Sequence, residues 1–142
     1  MKNIVRKVSN PKNELIRFLY YYMNKEINNY QNVHVREYLK SCMRQSIEYY
    51  KVFETANIEI SPLLGFYSLL NLGKLVTVVR HSNFNIQLSM VESMFKSHGA
   101  SSKTIDEIKI NSTGTFIEFS KSYSIRQLPT TLSILDLYKL LP

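Results

Sequence analysis

Apolar positions recur at close to a 3.6-residue spacing through the first two thirds of the chain and shift toward alternation beyond residue 103. Leu15, Phe18, Leu19, Met23 and Ile27 fall on one helical stripe. Ser9-Asn10-Pro11 supplies the start of that helix, with the proline at or near the first helical position, where an N–H would lack a partner anyway. Tyr20, Tyr21 and Tyr22 widen the semi-apolar face, and Asn28, Asn29, Gln31 and Asn32 form a polar break. A second helix is predicted over Val33 to Asn57, with Val35, Tyr38, Leu39, Cys42, Tyr49, Tyr50 and Phe53 as its core stripe. Ser46 interrupts that stripe and suits a core position if its hydroxyl bonds a carbonyl one turn back. Ile47 then widens the apolar arc. Lys40, Arg44, Glu48 and Lys51 lie mainly on the other side, and Glu48 and Lys51 are spaced to pair at i,i+3.

Ser61-Pro62 reads as a helix cap followed by proline at the first position, opening a third helix that runs to about Arg80. Its apolar residues surround most of the cylinder, which predicts a helix covered by neighbours on nearly all sides. Lys74, with Ser68, Asn71 and Thr77, argues against a membrane span, because a charge at mid-depth is costly. Gly65 and Gly73 cost helix propensity, a loss offset if another helix backbone approaches there. After a loop at residues 81–85, a shorter helix passes through Leu88, Val91, Met94 and Phe95 and is expected to end at His98-Gly99.

Ile105, Ile108 and Ile110 alternate partly with charged residues. Asn111-Ser112-Thr113-Gly114 is turn-like, and Thr115 to Phe119 is rich in strand formers, so a β-hairpin is predicted here, resting on the helical body. A final helix is expected from Ser133, with Asp136 at N3 and Leu135, Leu137, Tyr138, Leu140 and Leu141 as apolar contacts. The whole pattern predicts a mainly α fold: a helical bundle with a small β-hairpin near the C-terminal third, in one domain over residues 1–142.

A chain of 142 residues is long enough for one hydrophobic core without a disulfide or metal staple. Cys42 is the single cysteine, which excludes an intramolecular disulfide and fits a structural role in a reducing, cytoplasmic compartment. The basic first residues are not followed by the apolar run of a signal peptide. Net charge is +7, and residues 1–55 hold ten Lys/Arg against five Asp/Glu, five of the seven excess charges. That bias permits attraction to nucleic acid or an acidic protein, and equally serves as an ordinary solvated surface.

Reactive constellations are sparse. His34, His81 and His98 form no compact metal-ligand signature, the four glycines form no phosphate loop, and no serine sits in a nucleophile elbow. Asp106 and Glu107 fall on opposite sides of the proposed strand. No catalytic, cofactor-binding or metal-ligating residue is assigned, and no cofactor is expected. The residues singled out for a functional groove are Lys74, Arg80 and His98. His98 could hold a ligand near a helix end, against the plainer reading of a helix-terminal hydrogen bond. Lys74 could bind a ligand, or instead snorkel or pair with Glu48 or Glu59. Tyr49, Tyr50 and Tyr67 read as core residues with polar tips.

Several short segments resemble the YaaC-like proteins of bacteria. They are Tyr49-Tyr50, Ile60-Ser61-Pro62-Leu63-Leu64-Gly65-Phe66-Tyr67, Leu70 through Leu75, His98-Gly99-Ala100-Ser101, Ile108-Lys109-Ile110 and Gly114-Thr115-Phe116. The resemblance covers roughly residues 45–142, with a looser match in the first helix pair. Members are commonly longer, so it implies an N-terminal portion or a shortened member, and it brings no activity or catalytic residues with it. The long helices also look like those of HEPN proteins, whose ribonuclease members carry Arg, four to six residues, then His. No arginine precedes His34, His81 or His98 at that spacing, and Arg80-His81 is adjacent.

The expected function is a noncatalytic protein-interaction or assembly domain rather than an enzyme, with a homodimer or another protein as partner and no membrane. A nucleic-acid-binding or HEPN-related nuclease-like domain is the alternative.

Overall fold

Asn32 decides where the second helix begins. Its side-chain oxygen accepts from the backbone N–H groups of His34 at 2.9 Å and Val35 at 3.4 Å, satisfying donors that have no intrahelical partner. The computed structural model describes residues 11–81, 83–98, 100–102, 107–110, 112–123 and 131–133. Within them, α1 (Pro11–Ile27) and α2 (Val33–Phe53) are joined by the polar break at residues 28–32. That connection is pinned from inside. Tyr30 is 1% exposed, and its hydroxyl donates to the Val78 carbonyl at 2.7 Å. Its ring meets Phe84 edge-on, and Arg36 donates to the Tyr30 and Gln31 carbonyls.

Helix α3 (Ser61–His81) packs most extensively on α2 and also against α5 (Thr115–Ser122), with the short α4 (Leu88–Met94) between them in sequence. The α2–α3 contact is close because small residues face each other: Ser46 and Ser68 are both buried, and the Ser68 hydroxyl donates to the Ser46 carbonyl at 2.9 Å. The core gathers Met23, Ile27, Val35, Leu39, Cys42, Met43, Leu75, Val78, Ile86, Val91 and Phe95 around this pair. Burial of such side chains is the main favourable term in folding.

Several expectations are corrected. Helix α2 ends at Phe53 rather than Asn57, and turns at residues 54–60 lead into α3. Asn57 organises that entry, its side-chain oxygen accepting from the Ile60 N–H at 3.1 Å. Phe18 of the predicted α1 stripe is 65% exposed. Among the described residues the ion pair on α2 is Glu37–Lys40 at 3.0 Å, not Glu48–Lys51. Most consequentially, α3 is not covered on nearly all sides. It buries Ser68, Asn71, Leu75, Thr77 and Val78, while Leu63, Phe66, Tyr67 and Leu69 are exposed. Among the described residues it is the one helix long and apolar enough to cross a membrane, yet its middle and C-terminal half lie against α2 and α5.

The glycines of α3 admit side chains rather than a helix backbone. A Cβ at Gly65 would lie 3.3 Å from the Phe53 ring, and one at Gly73 would lie 3.8 Å from Phe119 and 3.9 Å from Thr115.

The mainly helical bundle stands, but the small β-hairpin expected from residues 105–119 is not formed. Thr115–Ser122 is helix α5. The strands β1 (Ala100–Ser102), β2 (Glu107–Ile110) and β3 (Thr131–Ser133) instead make a short antiparallel sheet in the order β1-β2-β3. The physical reason lies at Gly114, whose φ of 117° turns the chain in a way L side chains rarely adopt. The turn presents the Thr115 N–H to the Ser97 carbonyl at 2.9 Å and the Phe116 N–H to the His98 carbonyl at 3.1 Å. The first orphan donors of a helix are thereby satisfied, and strand propensity over so short a run is overridden. The final helix expected from Ser133 does not include that residue, which closes β3; the rest of that expected helix lies outside the described residues, as does Gly99.

Candidate functional site

The last turns of α2 and the first turns of α3 carry aromatic residues toward the same end of the bundle. Tyr50 and Phe53 rings are 6.1 Å apart, Tyr49 and Tyr67 5.6 Å, and Phe66 and Tyr67 5.5 Å. The Phe53 ring sits over Gly65, where the absence of a Cβ makes room for it. His98 arrives from beyond α4 and meets Phe66 edge-on at 5.5 Å. Tyr49, Tyr67, Phe66 and His98 thus form one chain of ring contacts across three segments, and the Tyr50–Phe53 pair is a separate contact whose Phe53 ring lies over Gly65. The cluster is only half covered: Phe53 and Tyr67 are 37% exposed and Phe66 45%. Ile58, Ile60, Leu63 and Leu69, all exposed, lie on the same turn and helix beginning. Tyrosines read from the sequence as core residues are therefore at the edge of the core. The signal that could have placed them is their position in the helix ends that flank the connection at residues 54–60.

The three residues singled out for a groove take distinct positions. Lys74, half-buried in α3, faces α2 closely enough to oppose the rise that burial imposes on the Cys42 thiol pKa. It makes no ion pair with Glu48 or Glu59. Arg80 donates from Nε to the Ser122 carbonyl at 3.0 Å and stacks its guanidinium over Tyr123, 4.2 Å from the ring centroid. A cation there complements the carbonyl-rich end of α5. The His98 carbonyl serves the opposite end of α5. His98 and Arg80 consequently bracket an eight-residue helix, on the order of 12 Å apart along its axis. Lys74 stands on the α2 side of α3.

Chemistry elsewhere is quiet. Burial raises the Tyr38 phenol far above its usual pKa, with Cys42 beside it adding to the effect. No group of three or more His, Cys, Asp or Glu suited to a metal ion occurs among the described residues.

A family model described as YaaC-like Protein matches residues 9–142. The chain belongs to the YaaC-like family. Searches of curated proteins and of solved structures gave no match. In this YaaC-like chain, the segments that carry the resemblance are distant in sequence, yet Tyr49, Phe66, Tyr67 and His98 meet in one series of ring contacts, while Thr115 and Phe116 are hydrogen-bonded to Ser97 and His98. The family model spans both the helical body and the sheet region, including nearly all of the single domain expected over residues 1–142.

Proposed function

We propose that this YaaC-like chain is a noncatalytic cytoplasmic interaction domain that pairs with a second copy through the aromatic cluster. The half-exposed run of Phe53, Phe66 and Tyr67, flanked by Leu63 and Leu69, is the observation that supports this reading. Large aromatic side chains at low entropy cost dominate the energetics of protein interfaces, and contiguous exposed apolar surface is unusual on a monomer. Twofold pairing buries such a patch against itself and closes the assembly.

Sedimentation over the micromolar range tests it. Dimer is expected to grow with concentration, and the paired substitutions Leu63→Glu and Leu69→Glu are expected to return the chain to a monomer. Both side chains are more than half exposed, so these changes leave the core untouched. A single species at 16.6 kDa throughout, in the unsubstituted chain, overturns the reading. The nucleic-acid alternative rests on the +7 charge, and salt-dependent retention of RNA at low ionic strength would favour it instead.

A further inference from the structure

A groove of about 720 Å³ runs between α1 and α2, on lining residues that the aromatic cluster does not use. Its floor is aliphatic, built from Ile16, Met43 and Ile47. Its rim is charged: Arg17, Lys40, Arg44 and Lys51 against Glu37 and Glu48, an excess of two positive charges. Lys40 is held by Glu37 at 3.0 Å, and Arg17 leans on Glu14 at 3.5 Å with its side chain 78% exposed. Arg44 and Lys51 make no ion pair among the described residues. Along α2 the rim positions fall at 37, 40, 44, 48 and 51, a heptad-like row that faces one direction for about 21 Å.

We infer that this groove docks an acidic amphipathic helix of a partner protein. Two neighbouring helices with an apolar seam between them present the surface on which a third helix completes a bundle. About four turns of helix match the length of the row, with apolar side chains on the half-buried Ile16 and Ile47 and carboxylates reaching Arg44 and Lys51. The cationic excess selects an acidic partner and steers its approach. Residues 1–10 of the chain itself carry Lys2, Arg6 and Lys7 and no carboxylate, so they do not complement the rim. A second copy, at +7, brings the wrong sign as well. A nucleic-acid strand would find Tyr20 as the sole ring in the lining, and Glu37 and Glu48 would face its phosphates.

The inference extends the interaction reading to a second surface, and each can fail alone, because the Leu63 and Leu69 substitutions leave the groove intact. The test uses the full chain and a fluorescent synthetic peptide of about sixteen residues, with leucines on one helical face and glutamates flanking them. Its counterparts carry lysine for glutamate, or the same residues scrambled, and a single-stranded RNA of comparable length is titrated in parallel. The acidic amphipathic peptide is expected to bind, to bind less tightly with added salt, to leave self-association unchanged, and to bind the Leu63→Glu/Leu69→Glu chain equally well. The double variant Arg44→Glu/Lys51→Glu, at exposed positions, is expected to keep the parental Tm and bind the peptide roughly tenfold more weakly or worse. Absence of peptide binding, equal binding of the lysine or scrambled peptide, tighter binding of RNA, or undiminished binding by the double variant each overturns the proposal.

Discussion

The imidazole of His98 meets the ring of Phe66 edge-on, with 5.5 Å between centroids and 89° between planes. This contact joins the segment after α4 to the beginning of α3, while the His98 carbonyl holds the first turn of α5. One residue therefore ties the bundle to its C-terminal third. Edge-to-face ring pairs contribute about 0.5–1.5 kcal/mol beyond the area they bury. A double-mutant cycle with His98→Ala and Phe66→Leu is expected to return a coupling energy near the lower end of that range, since both rings are partly solvated. Additive effects within error would show that the contact is geometric only.

The two ends of the glycine scale should separate cleanly. Gly114, at φ 117° and ψ 174°, occupies backbone that L residues avoid, so Gly114→Ala is expected to destabilise by about 1–3 kcal/mol and to loosen α5 first. Gly73 is helical, and an added Cβ meets only ordinary contacts at 3.8 and 3.9 Å. Gly73→Ala is expected to stabilise by about 0.5–1 kcal/mol through helix propensity. Denaturant midpoints of the two variants moving in the same direction would contradict the assignment.

Thr77 is fully buried in α3, and its hydroxyl makes no hydrogen bond among the described residues. Replacing a desolvated, unpaired hydroxyl with a methyl of similar shape removes a penalty of about 1–3 kcal/mol. Thr77→Val is therefore expected to raise Tm. A lowered Tm would mean that the hydroxyl has a partner worth keeping.

Alkaline stability should report on Tyr30. Burial first, and the nearby Glu26 charge second, push its phenol up to about 12. A raised folded-state value means the unfolded chain loses this proton first, so the stabilising contribution is complete below about pH 10 and declines as pH climbs toward 12. The unsubstituted chain is expected to lose stability across that window. Tyr30→Phe, which also forfeits the 2.7 Å bond to the Val78 carbonyl, is expected to begin about 1 kcal/mol or more less stable at neutral pH and to lose less as pH rises. Parallel pH profiles for the two chains would place the alkaline transition on another group.

Local pattern was sufficient wherever one element's own residues settle its state. The period of Val35, Leu39 and Cys42 placed α2 and its buried face, Pro11 marked the beginning of α1, and the small Ser46 was compatible with the core position it takes. These follow from backbone hydrogen bonding and side-chain spacing within a single helix, which the sequence carries directly. The order and spacing of short segments, from Tyr49-Tyr50 to Gly114-Thr115-Phe116, likewise carried the family. Where two elements had to meet, the sequence was silent. Thr115–Ser122 has strand-forming residues, yet it is helical because the carbonyls of Ser97 and His98 receive its first N–H groups behind Gly114. Leu63, Phe66 and Leu69 are as apolar as Leu75, but the packing of α2 and α5 on the middle and C-terminal half of α3 leaves the first three outside. The groove between α1 and α2 exists only because residues 16–24 and 37–51 lie side by side, a relation fixed by the buried Tyr30 turn and not by the charge row on either helix alone. Burial, capping across segments and grooves are properties of pairs of elements, and only tertiary packing decides which pairs form.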